Sequence, residues 1–100
     1  MISDADIKKL AKRNGLERSL LQAAEEFSEA SASCLQFVRA LHGERDYKAA
    51  LDSLSEEFAD AAIVFTEVTG LLGARFEQSV AESAEKKIDR ALTRTRRARR

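Results

Sequence analysis

Apolar residues along this chain recur at steps of three, four or seven, which is the spacing of helix faces. Ser3 is placed to cap a first helix, with Asp6 three residues on as its box partner, and Ile7, Leu10 and Ala11 supply the apolar face. Asn14-Gly15 stops that helix, since both residues tolerate the left-handed backbone of helix ends. A second helix is expected from about Glu17 to Leu41, ending at His42-Gly43. Its positions Leu20, Ala24, Phe27, Cys34, Val38 and Leu41, with Ser31 filling the gap, read as a seam for packing helix on helix. Residues 43–52 read as a loop with a short helical turn. Ser53-Leu54-Ser55-Glu56 is a capping box that starts the main third helix, whose face is Leu54, Phe58, Ala61, Phe65 and Val68. Thr69-Gly70 and Gly73 bracket a turn. A fourth helix follows from about Ala74, with Phe76, Val80, Ala84, Ile88 and Leu92 on its apolar side.

Composition supports an all-α reading and limits its core. The chain has no proline and only four glycines to interrupt 100 residues. A domain of this size buries only about two-thirds of its unfolded surface. Much of its 44% hydrophobic content is alanine, and only six residues are aromatic. Burying an apolar face against another copy is the usual remedy, so a homodimer or homotetramer is expected. Cys34 is alone, which excludes an intramolecular disulfide and a cysteine-based zinc site within one chain. No segment approaches the ~20 apolar residues of a membrane span, and the polar, acidic start is unlike a secretory signal. A cytoplasmic protein with no membrane partner is the expectation.

Charge changes the picture along the chain. Residues 1–81 carry 9 basic and 14 acidic side chains, net −5, and residues 82–100 carry 8 basic and 3 acidic, net +5. An acidic body with a basic last helix suits anionic groups held between opposite fields.

Two acidic pairs share one arrangement. Glu26 and Glu29 stand three apart in the second helix, and Glu57 and Asp60 three apart in the third. Residues at that spacing share a helix side, and each pair borders its apolar seam, at Phe27 and at Phe58. Antiparallel packing of the seams would bring four carboxylates to the edge of one groove. Carboxylates so gathered repel, and shielding them from water is costly unless a cation neutralises them. Oxygen ligands with open positions suit Mg²⁺ or Mn²⁺. A solvated face with salt bridges is the alternative reading of the same residues.

Glu25-Glu26-Phe27-Ser28-Glu29 and, after a 27-residue gap, Glu57-Phe58-Ala59-Asp60 resemble the ExxE…ExxD signature of the MazG-like, all-α nucleoside triphosphate pyrophosphohydrolases. The likeness covers roughly residues 15–92. Gly15 through Arg39 is similar to the family's opening helix, Glu56 through Val64 to its "EELADVLI" stretch, and Glu85 through Arg90 to its closing basic helix. The resemblance implies a helical bundle of that type, its four-helix core completed by oligomerisation, with residues 1–92 as the domain and 93–100 as a flexible basic tail. It also implies cleavage of an NTP or dNTP between the α and β phosphates. Glu26, Glu29, Glu57 and Asp60 would be the ligands for Mg²⁺, with Mn²⁺ as substitute, and Glu26 or Glu29 would orient the attacking water. Lys87 and Arg90 would neutralise the departing pyrophosphate, with Arg39, Gln36 and Gln22 as further substrate contacts. Relatives often carry a Lys where this chain has Gln36.

Other residues carry plainer readings. His42 reads as a helix-end residue meeting terminal carbonyls, Tyr47 as a loop or dimer contact before a base-stacking group, and Lys86 as a solvated lysine. Lys87, seven after Val80 and three after Ala84, falls on the inward side. Six arginines lie between Arg90 and Arg100, a composition that binds phosphate backbones, yet no aromatic platform or helix-turn-helix accompanies them. Two rivals to the hydrolase therefore stand: a helical adaptor using its acidic face as an ionic interface, and a nucleic-acid-binding dimer using the arginine tail.

Overall fold

The computed structural model describes residues 3–98, apart from the side chains of residues 95, 97 and 98. It is all-α. Four helices follow in order: α1 (Asp4–Asn14), α2 (Leu16–Leu41), α3 (Tyr47–Leu72) and α4 (Ala74–Ala98). No helix is long and apolar enough to cross a membrane.

The frame is an antiparallel hairpin of α2 and α3, each 26 residues and so about 39 Å long. Its direction is fixed at both ends. Ser19 Oγ lies 3.4 Å from Glu67 Oε2 near the start of α2, and the rings of Phe37 and Tyr47 stand 5.3 Å apart near its end. Tyr47 thus closes the hairpin within its own chain. Short α1 lies against α3 and, to a lesser extent, α2, burying Ile7 and Ala11.

The helix boundaries have local causes. Gly15 (φ 79, ψ 167) and Gly73 (φ 96, ψ 178) turn the chain between consecutive helices in backbone conformations that are essentially glycine's alone. Three expectations need correction. α3 begins at Tyr47 and not at Ser53, because the Asp46 side chain accepts the Ala49 N–H at 2.9 Å and caps it seven residues before Ser53. α3 also runs through Gly70 to Leu72, so Gly73 alone makes the turn. At Ser3 the side chain makes no capping bond; the Asp6 and Ile7 N–H groups donate to the Ser3 carbonyl, both at 3.1 Å.

The seam between α2 and α3 differs most from the sequence pattern. α2 buries Ser19, Ala23, Ser33 and Ala40 and half-buries Ala30, whereas the expected seam residues Leu20, Ala24, Phe27, Ser31, Cys34, Val38 and Leu41 are all exposed. α3 buries Ala50, Val64 and Val68 and half-buries Leu54 and Ala61, but Phe58 and Phe65 are exposed. Ala23, Val64 and Val68 form the core cluster. Small side chains let the two backbones approach closely, and a phenylalanine or leucine on that line would hold them apart. The bulky residues consequently fall on a flank. Leu20, Phe27, Cys34 and Leu41 follow one another at steps of seven on α2, and Leu51, Phe58, Phe65 and Leu72 do so on α3. The two rows meet where Phe27, Phe58 and Phe65 line one apolar groove.

α4 leaves this hairpin. Among the described residues its interhelical packing is with α3 alone, and every side chain from Ala81 to Leu92 is exposed, Ile88 at 61% and Leu92 at 52%. The inward side expected for Lys87 therefore does not exist within one copy. The Cα radius of gyration is 17.1 Å, against about 13 Å for a compact domain of 100 residues. Residues 93–98 continue α4 where a flexible tail was expected; arginine is a good helix former, and neither glycine nor proline intervenes. Residues 99 and 100 of that expected tail lie outside the described residues.

Candidate metal centre

The hairpin's other flank is acidic. Glu26 on α2 and Glu57 and Asp60 on α3 each present a carboxylate oxygen, and these three atoms all lie within 4.8 Å of one another. Glu29, one turn along α2, adds its charge to both glutamates and lies within hydrogen-bonding reach of them. The helices place these groups simply. Glu26 falls three residues after Ala23, and Glu57 seven before Val64, so both stand at the margin of the small-residue seam where close approach of the backbones draws them together.

The site is electrostatically frustrated. Among the described residues, Glu26 Oε2 and Glu57 Oε2 are shielded from solvent and have no hydrogen-bond donor. Loss of hydration raises both carboxyls above their ordinary value, with further contributions from the close approach of the Glu29 carboxyl and from the charges of Glu29 and Asp60. Two arrangements relieve the cluster: protons shared between the carboxyls, or a cation among them. An all-oxygen donor set with one side open to solvent suits a small hard divalent ion that keeps several waters.

The remaining expected site residues are more scattered. Gln36, half-buried on α2, has its Oε1 shielded and without a donor. Gln22 is exposed. Arg39 lies ten residues beyond Glu29, about 15 Å along the helix, and its Nε donates to Glu44 Oε2 at 3.2 Å in an exposed ion pair. Lys87 and Arg90 are exposed on α4 and make no ion pair with the acids among the described residues. His42 ends α2 through its backbone N–H, which donates to the carbonyls of Arg39 and Val38.

Sequence reasoning missed the Ser19–Glu67 pair. Glu67 is only 3% exposed and takes its hydrogen bond from Ser19, which is fully buried. A signal was present: Glu67 lies seven residues after Asp60, and Ser19 seven before Glu26, so the pair continues the acidic flank by one heptad. A groove of about 570 Å³ opens beside Glu67, lined also by Ile7, Lys8, Lys12 and Leu71, but none of the clustered acids reaches it. Comparison of the chain with family models, curated proteins and solved structures finds no match in any of the three.

Proposed function

We propose that this protein is a Mg²⁺-dependent nucleoside triphosphate pyrophosphohydrolase of the MazG-like type, acting as a homodimer or homotetramer. The observation that carries the reading is the meeting of Glu26, Glu57 and Asp60, with Glu29 beside them, around two shielded oxygens that lack a donor. These residues fit a divalent ion: the donors are hard, the oxygens are unsatisfied, and the charge is in excess. Held by the four acids, Mg²⁺ or Mn²⁺ would offset phosphate charge and lower the pKa of a bound water.

The chain's own groups account for the rest. A water attacks the α phosphorus, the bond from that phosphorus to the α–β bridging oxygen breaks, and the pair of electrons leaves with pyrophosphate. Glu26 or Glu29 takes the proton from the water. Lys87 and Arg90 would neutralise the leaving group. Their exposure on a helix that leaves its own hairpin favours delivery across copies, with the exposed rows of α2, α3 and α4 buried in the same contact. Gln36 would be a further contact to the nucleotide.

Pyrophosphate release from a panel of eight NTPs and dNTPs with Mg²⁺, in wild type and Glu57→Gln, tests the reading. Release that disappears in the variant supports it and names the substrate. No release from any nucleotide, with Mn²⁺ also tried, would make the acidic flank an interface and favour a helical adaptor.

A further inference from the structure

Arg90, Arg94, Arg96 and Arg97 lie on α4, and that changes what they can do. α4 runs to Ala98 without interruption, past the last apolar side chain larger than alanine at Leu92. Arg94 and Arg96 are exposed on it. Thr93 folds its hydroxyl back onto the Asp89 carbonyl at 2.9 Å, leaving it turned toward the helix backbone. Asp89 is the last acidic residue, and from Arg90 to Arg100 the sequence places six arginines with no counter-charge. Among the described residues no ion pair involves α4.

We propose that the last two turns of α4 dock on the phosphate backbone of a nucleic acid, as an activity separate from nucleotide hydrolysis. A rigid helix holds its arginines at fixed spacing, so less freedom is lost on binding than from a mobile tail. Arginine in place of lysine favours forked hydrogen bonding to phosphate oxygens. Arginines on phosphate oxygens read no sequence, and after Gln78 the helix offers no aromatic, asparagine or glutamine side chain to meet a base edge. The body, net −5 through residue 81, repels a polyanion and confines contact to this end. A lipid surface fits less well, because beyond Leu92 there is no apolar side to enter the headgroup layer. The same absence leaves this segment no apolar side to bury against a second copy.

Anisotropy of a labelled 20-base-pair duplex of arbitrary sequence, at 50 and 200 mM salt, tests the proposal on the full chain. If four arginines engage phosphates, that rise in salt weakens binding about 150-fold, and a scrambled duplex binds equally well. Changing Arg94, Arg96, Arg97, Arg99 and Arg100 to Gln abolishes binding, and so does truncation after Leu92. In the five-Gln variant helicity, oligomeric mass and pyrophosphate release stay as in wild type, so this proposal and the hydrolase reading fail independently. No binding at 50 mM salt overturns it. So does undiminished binding by the five-Gln variant, or loss of assembly in that variant, or preference for phosphatidylserine vesicles over the duplex.

Discussion

The two flanks of the α2–α3 hairpin are built from the same helices, yet they pose opposite physical problems. One carries Leu20, Phe27, Leu41, Leu51, Phe58, Phe65 and Leu72, large apolar groups between 41% and 63% exposed. The other gathers carboxylates whose shielded oxygens lack donors. The first is unsatisfied because water is present, the second because water is partly excluded. A second copy would cure the first and a cation the second. Between them runs a seam of alanine, serine and valine that is satisfied already. The molecule is thus complete along one line and unfinished on both sides of it, and the unfinished sides point to partners of different chemistry.

That contrast can be broken one flank at a time. The largest effect is expected on the acidic side, where Glu57→Gln lowers pyrophosphate release at least 100-fold, about 2.7 kcal/mol of barrier, while the mass in light scattering stays unchanged. A variant that loses activity only because it dissociates would sink the assignment of Glu57. On the apolar side, the double variant Phe58→Asp, Phe65→Asp shifts the assembly to single chains at micromolar concentration. Aromatic anchors of this kind are worth about 2–4 kcal/mol each when truncated, and an unchanged mass would show that the flank is not an interface. In the seam, Ala23→Leu destabilises the hairpin by about 1–3 kcal/mol through overpacking, seen as a lower midpoint in urea. The equally large change Ala24→Leu, one position along and exposed, leaves the midpoint nearly where it was.

The smallest effect sharpens the acidic side through pH. Glu26 and Glu57 have raised pKa values in the folded chain, so the folded state binds protons more tightly than the unfolded one. Without metal, their contribution favours folding most below the ordinary carboxylate value of 4.5 and declines as pH rises through the raised values. Metal binding runs the other way, since protons compete for the same oxygens. Thermal melts should show Mg²⁺ stabilising the protein at pH 7.5 and much less at pH 5. At ten times Kd the gain is about 1.4 kcal/mol. Glu57→Gln should raise the metal-free Tm at pH 7.5, because it removes one repelling charge, and flatten the response to Mg²⁺. A lower metal-free Tm would mean that the carboxylate is already compensated.

Much of this was legible in the sequence, and for stated reasons. Asn14-Gly15, His42-Gly43 and Gly73 mark helix ends because few other residues tolerate positive φ there. Four helices and no strand among the described residues follow from periodicity and from the scarcity of chain breakers. The acidic pairs stood out because spacing along a helix fixes which side chains share a face. Ser53 offers a full capping box in the sequence, yet Asp46 caps α3 in the structure.

What the sequence alone determined is that each helix has an apolar line, and that Glu26, Glu29, Glu57 and Asp60 border two of them. Only the tertiary structure decided which line a helix turns toward its own chain. Periodicity records that Phe27 and Ala23 are both apolar, one turn apart on neighbouring lines, and says nothing of the space between α2 and α3. That space is set by side-chain volume on both helices together. The small residues won it, the large ones were left on the flank, and carboxylate oxygens of Glu26, Glu57 and Asp60 were carried to within 4.8 Å of one another as a result.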